Sequence, residues 1–386
     1  MNEKNSFKHN LTVVCIKDEK EFYQLKQPWN KLVEKTETKS IFLRHEWYDA
    51  AWQWRKLDSH LYIVCIKRND EFIGICPLLR RTIVRYGVSK NIIEPLSVPD
   101  TQYFDIIASP SDLIDVTSEF SQYLITNKSP WDLLIFSKVT TDSNMLRTLP
   151  SALKQYGFSY ILKEGGVNPG IRLNTDWKSY YKTRSRRLKK GNNHVKNRLE
   201  RNVTNVEIQN FRCNSISSDL ISETINTITL ISAQSWKKMT KLTLDNTGPN
   251  AFINRLSEHA CDNGWLSIWV LFFDKKPVAM EYQIIFNKIA YALRSDYVDK
   301  YDDLSPGTYL NWKLLERMFK DEIIYYSMGP GENEYKLRWS DTAISLSHIT
   351  IYNKTFLNMV EYQLKTNVVP IINKIKMFLT KNDNVL

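Results

Sequence analysis

Glycine and proline are scarce, 12 and 13 residues of 386, so neither a collagen-like repeat nor a Gly/Pro-rich disordered linker describes the chain. Long apolar runs are missing too. The longest, Trp265–Phe273, has nine residues, one of them serine, against about 20 needed to cross a bilayer. Met1 to Asn5 open no apolar stretch of the secretory kind, so the expected compartment is the cytoplasm. The six histidines show no HxxH or HExxH spacing and the five cysteines form no CxxC, so no metal is expected. GxSxG, GxGxxG and the phosphate-binding GxxxxGK[ST] are absent as well. The cysteines are odd in number and mostly set in apolar runs; they read as reduced and buried.

Aromatic residues are plentiful, with 11 Trp, 20 Tyr and 16 Phe, enough for a large core. At about 150 residues per domain the length suggests two domains. The formal charge is +11, and it is concentrated. Between Lys178 and Arg201 ten Lys/Arg stand against one acid, Glu200, so this window holds nine of the eleven net charges. Trp177, Tyr181, Arg184, Leu188, Val195 and Leu199 recur at helical steps, and the spacing predicts a basic helix over 176–201 with a break at Gly191-Asn192-Asn193. Its basic face suits a phosphorylated ligand; a plain solvated face is the alternative.

The pattern of elements repeats. The first half reads helix (46–54), hairpin (61–67 and 72–79), third strand (103–108), helix (113–126), strand (132–137). The second reads helix (250–261), hairpin (266–273 and 278–286), third strand (289–295), helix (307–320), strand (323–327). Order and length carry this repeat, and Gly165-Gly166-Val167-Asn168-Pro169-Gly170 is the dense Gly/Pro cluster between the halves. Two α/β units follow, 1–165 and 166–386, each a mixed, mostly antiparallel sheet flanked by helices.

Chemistry-bearing residues cluster in the second half. Ser305-Pro306-Gly307-Thr308 opens an amphipathic helix; helix starts collect anions because their N–H groups are unpaired. The corresponding stretch of the first half, Ser109-Pro110-Ser111-Asp112, places an acid there, so a phosphorylated donor should choose the second. Met328-Gly329-Pro330-Gly331 leaves the end of a strand and leads to Tyr335, Lys336, Arg338 and Trp339. Strand ends are where α/β sheets hold ligands. Tyr335 can protonate a leaving group and Lys336 can hold an anion. Asp296 ends a central strand and can serve as a base, while Glu281 lies within a strand facing either solvent or a cleft. His45 reads as a cap or packing residue.

These stretches, with Pro277-Val278-Ala279 and the Trp177, Tyr180, Arg184, Arg187 helix, resemble the FemAB-like, CelD-like branch of the GNAT N-acyltransferases, members of which often serve exopolysaccharide or cellulose synthesis. The resemblance spans about Phe42 to Trp339. It implies tandem GNAT-like domains and acyl-CoA, acetyl-CoA first, as co-substrate without a metal. It further implies Ser305, Gly307 and Thr308 at the donor, Asp296, Tyr335 and Glu281 as catalytic groups, and Arg184, Arg187, Lys336 and Trp339 toward substrate. Where the family carries an Asp before its Gly-Pro-Gly loop this chain has Ser327, so that work falls to another acid or is lost. Three functions follow. The first is N-acyl transfer to an amino sugar or another small-molecule or glycan precursor. The second is a transferase using aminoacyl-tRNA, with RNA on the basic helix. The third is an inactive scaffold in polysaccharide synthesis. Phe356–Leu379 reads as an apolar-rich helix broken near Pro370 that packs on the body or touches a membrane surface.

Overall fold

The computed structural model describes residues 11–85, 87–127, 130–213 and 218–368; the first five residues and Pro370 lie outside them. In the first half β1 (Leu11–Ile16), α1 (Glu19–Gln24), α2 (Lys26–Val33) and α3 (His45–Arg55) precede strands β2 (His60–Arg68), β3 (Glu71–Arg85), β4 (Val88–Pro95) and β5 (Ile107–Ala108). Then come α4 (Leu113–Thr126), β6 (Leu133–Thr140), α5 (Asn144–Gln155) and β7 (Ser159–Arg172). The second half runs α6 (Trp177–Thr183), α7 (Arg186–Asn202), β8 (Val206–Phe211), α8 (Ser218–Ala233), α9 (Thr247–Asp262), β9 (Leu266–Phe273), β10 (Lys276–Phe286) and β11 (Ile289–Tyr297). It closes with α10 (Pro306–Met318), β12 (Tyr325–Ser327), α11 (Glu334–Trp339), β13 (Thr342–Tyr352) and α12 (Phe356–Gln363).

Local chemistry explains the best-placed elements. Asn69-Asp70, Asp274-Lys275 and Asn287-Lys288 all take positive φ at both positions, the geometry of the tight turns whose twist matches paired strands. Strand β9 is buried along nearly its whole length, which is why it reads as an unbroken apolar run rather than an alternating one.

The described strands form one sheet in the order β1-β2-β3-β4-β6-β13-β7-β12-β11-β10-β9-β8, with β5 on β3. The order has an internal symmetry. β4 pairs antiparallel with β3 and parallel with β6, just as β11 pairs antiparallel with β10 and parallel with β12. The third strand of the first half is therefore β4, not 103–108, where only the two-residue β5 and a bridge from Phe104 to Val139 form. The last strands are exchanged: β7 pairs with β12 of the second half, and β13 pairs with β6 of the first. Gly165–Gly170 lies within β7, so the division at 165/166 falls inside a strand.

Packing joins the halves. Trp47 and Phe252 touch edge to face across α3 and α9 at 5.3 Å, beside a polar knot centred on the buried Asp49. There Asp49 accepts from His259 Nε2 at 2.7 Å and from Arg255 at 2.7 and 2.9 Å. Although burial opposes it, these bonds hold the Asp49 carboxyl down at about 2. His45 packs in the core, its Nε2 3.0 Å from the Phe22 carbonyl.

Two sequence expectations change. The basic segment breaks at Arg184-Ser185, and α7 runs unbroken through Gly191-Asn192-Asn193. Ser185 caps α7 by accepting from Leu188 N–H at 3.2 Å, which makes the break a helix start, while Asn192 is buried against the Tyr181 hydroxyl. Nor are all cysteines reduced. Cys213 and Cys261 form a disulfide, their Cα atoms 5.1 Å apart across 48 residues; the fold brings the end of β8 beside the last turn of α9. Cys15, Cys65 and Cys76 are free, and burial pushes their thiols up.

Candidate active site

Strands β11 and β12 are parallel, so their carboxyl ends point the same way. They pair only from Ile289 with Tyr325 to Tyr291 with Ser327. Beyond that, β11 continues to Tyr297 along β10, while the segment after β12 turns away through Gly329 and Gly331, both at positive φ. A wedge opens at strand ends, the place where such sheets bind ligands. A cavity of about 200 Å³ fills it. Its walls are Ala292 to Ser295 on β11, the Met328–Pro330 turn, Glu281 and Tyr326 from the sheet, and Tyr335 and Lys336 from α11. Pro99, Asp100 and Gln102 enter from the first half, and Lys237 from the short turn Trp236–Thr240. A bulge in β11 leaves Leu293 without a partner on β10, and bulges of this kind re-aim backbone beside active sites.

Glu281 faces this cleft rather than solvent. It is 2% exposed, and both of its hydrogen bonds to described residues fall on Oε1, from the Tyr326 hydroxyl at 2.6 Å and the Gln283 amide at 2.7 Å. Burial lifts its pKa, against the pull of those bonds and of Lys336. The Lys336 ammonium donates to the Gly329 and Pro330 carbonyls at 2.8 and 3.0 Å. Burial draws it down to about 8, with Glu281 opposing. Tyr335 is about half-exposed and lines the same space; burial first, then the charge of Glu281, raises its hydroxyl pKa and keeps it protonated. Glu281, Tyr335 and Lys336 are thus brought together.

Asp296 is not. It does not line the cavity, and both its oxygens are occupied, by Ser232 Oγ at 2.7 Å and Lys237 Nζ at 2.5 Å. Its place is to steady Lys237, because alternation along β11 turns it toward α8 while Ser295 meets the cavity. Trp339 is also elsewhere: 3% exposed, it stacks on Trp177 and Tyr181 at 6.2 Å each. Arg184 ties the same region together, donating to the Trp339 and Ser340 carbonyls at 2.6 and 3.1 Å, while Arg187 is exposed. These placements separate structure from surface. Arg184→Gln is expected to cost about 1–2 kcal/mol in urea unfolding, since it strips two carbonyls of a charged donor. Arg187→Gln with Lys190→Gln, both exposed, should leave the midpoint unchanged; equal losses would contradict this division.

Ser305, Gly307 and Thr308 stand at the start of α10 and do not line the cavity. Ser305 takes a left-handed φ of 53° and its hydroxyl makes no capping bond, contrary to the capping role expected from Ser-Pro. Gly307 packs closely: a Cβ there would lie 3.2 Å from the Tyr297 ring, which would have to give by a few tenths of an ångström. Tyr297 is two residues past Ser295 on β11, about 7 Å at the usual rise, so the helix start lies just along the strand from the cavity. In the first half, Asp112 accepts from Ser109 Oγ at 2.6 Å and pairs with Arg68 at 2.5 Å.

Sequence reasoning missed Asp100, Gln102, Lys237 and Tyr326. The salt bridge from Asp100 to Arg294, at 2.5 and 2.6 Å, spans almost two hundred residues, and no local spacing announces it. The one usable signal was Pro99-Asp100-Thr101-Gln102, a polar stretch between apolar ones.

Residues 192–337 match the family model described as acetyltransferase (GNAT) domain. Among solved structures, FemX superposes with a TM-score of 0.56 at 11% identity, over 88% of this chain and 98% of that one. A conserved protein of unknown function from Bacteroides thetaiotaomicron gives 0.52 at 11%, covering 89% and 100%. L-PGS from Bacillus licheniformis gives 0.50 at 11%, covering 90% and 96%. No curated protein matches the sequence. The fold is a mixed α/β fold shared with these structures, and its GNAT match lies in the second half. Among the described residues no cluster suits a metal ion, and no helix is long and apolar enough to cross a membrane.

Proposed function

We propose that this protein is a cytoplasmic N-acyltransferase that moves a short acyl group from acyl-CoA to the amine of an amino sugar or a related cell-envelope polysaccharide precursor, as in the CelD-like branch. The observation that carries the reading is Glu281, a buried acid of raised pKa whose Oε2 is left over at a cavity between two parting parallel strands. The neutral amine attacks the thioester carbon, its proton passes to Glu281 Oε2, the carbon–sulfur bond breaks, and Tyr335 gives its proton to the departing thiolate. Backbone freed at the Leu293 bulge polarises the carbonyl. The Lys336 ammonium supports the negative charge that develops, and the open N–H groups of Gly307 and Thr308 receive the donor's phosphates. We place the donor site in the second half of the chain.

The test is thiol release from a panel of acyl-CoAs across pH. A bell-shaped profile is expected, with its acid limb above the ordinary glutamate range and its alkaline limb near 8, where Lys336 loses its proton. Lys336→Met should remove the alkaline limb alone. Absence of turnover with every donor would favour the scaffold reading. A second reading, use of aminoacyl-tRNA, is favoured by the exposed basic face of α7, which includes Arg186, Arg187, Lys190 and Lys196. Activity abolished by ribonuclease would select it.

A further inference from the structure

The apex of the wedge is closed by a side chain from the other half of the molecule. Gln102 is 1% exposed and lines the cavity. Its Nε2 donates to the carbonyl of Ala292 at 2.9 Å, the first β11 residue past the pairing with β12. Its Oε1 accepts from Ser327 Oγ at 2.6 Å and from Asn168 Nδ2 at 3.2 Å. One carboxamide thus spans the two strands where they part. Ser327, at the position where an acid was expected, is fully buried beneath it. Gly329 closes in from the side, since a Cβ there would stand 3.4 Å from the Ala292 oxygen and 3.6 Å from Gln102 Nε2.

We propose that Gln102 is a specificity-determining residue: its carboxamide is the floor on which the acyl chain of the donor ends, and it limits transfer to acetyl and propionyl groups. This rests on the acyltransferase reading above. The cavity of about 200 Å³ must hold both the acyl group and the amine, so little length is left over. A longer chain has to push the carboxamide aside. That takes the Gln102 amide from the Ala292 carbonyl and the closest acceptor from the Ser327 hydroxyl, which keeps only Asn168 Nδ2 at 3.2 Å and the Tyr103 hydroxyl at 3.4 Å, in a buried place, a loss larger than one more methylene recovers.

The experiment compares acetyl-, butanoyl- and hexanoyl-CoA as donors for the wild type, Gln102→Ala and Gln102→Asn. Wild type is expected to favour acetyl-CoA. Gln102→Ala should raise the hexanoyl-to-acetyl ratio of kcat/KM by about 10–200-fold, the span that pocket methylenes command. Gln102→Asn, shorter by one methylene but still a carboxamide, should move the ratio the same way by less, and it serves if the alanine variant does not fold. Calorimetric affinities for acetyl- and hexanoyl-CoA give the same ratio without turnover. Donor binding with an unchanged ratio in the folded variants would overturn this inference and leave the reading of the function standing. Failure of the wild type to bind any of the three would overturn both.

Discussion

Glu281→Gln is expected to lower kcat by about 10²–10⁴, the range for a positioned general base, with KM little altered and the fold intact. Glutamine keeps an oxygen for the Tyr326 hydroxyl, which now reaches Glu281 Oε1 at 2.6 Å, and fills the same volume. What it removes is the basicity of Oε2. Linkage adds a second signature. Burial raises the folded-state pKa of Glu281 above its unfolded value, so the native protein binds this proton more tightly. The stability this contributes is full below the unfolded-state pKa and is lost as pH rises through the folded one. The glutamine variant lacks that loss, so its stability at neutral pH should equal or exceed that of the wild type. Its rate profile should lose the acid limb while keeping the alkaline one that belongs to Lys336. Unchanged turnover in Glu281→Gln would remove this residue from the chemistry; a lower melting temperature with proportionate loss of activity would make it a packing residue.

Asp100→Ala should be the most destabilising of the changes considered, by about 3–5 kcal/mol, because it leaves a charge buried without its partner. The side chains of Asp100 and Arg294 are only 3% and 8% exposed, and they meet at 2.5 and 2.6 Å. Arg294 also donates to the Leu242 carbonyl and lies 5.8 Å from the Trp54 ring. The pair therefore fastens the first-half loop to the β11 wall of the cavity. A shift of the urea midpoint with an unchanged slope would report lost stability rather than altered compactness. Replacing both members, Asp100→Leu with Arg294→Met, should recover most of the loss, since an apolar pair asks for no desolvation of charge. A loss under about 1 kcal/mol for Asp100→Ala, the size expected of a solvated surface pair, would mean that water reaches this bridge.

Much of the local structure was legible. Helix α4 and strand β9 run between the residues their sequence patterns name, Leu113–Thr126 and Leu266–Phe273. The two-residue turns at Asn69, Asp274 and Asn287 are where polar pairs interrupt apolar strands. Within the candidate site, Glu281, Tyr335 and Lys336 belonged to stretches that sequence alone marked as chemical. Asp296 and Trp339 were equally plausible by type and position, but β11 alternation turns one toward Lys237, and aromatic stacking draws the other into the core.

The amino-acid sequence by itself determined the tight turns, elements such as α4 and β9, and the concentration of positive charge between Lys178 and Arg201, because turn chemistry and periodicity act between residues a few positions apart. Only the tertiary structure decided which strands pair and which side chains converge. It made β4 the counterpart of β11, exchanged β7 and β13 between the halves, joined Cys213 to Cys261, and brought Asp100 and Gln102 to a cavity built largely from the second half. Hydrogen bonds between distant strands and the desolvation of buried charges carry no period along the chain. They take effect only when remote segments are packed together, and there the physics of burial chooses among residues that the sequence leaves equivalent.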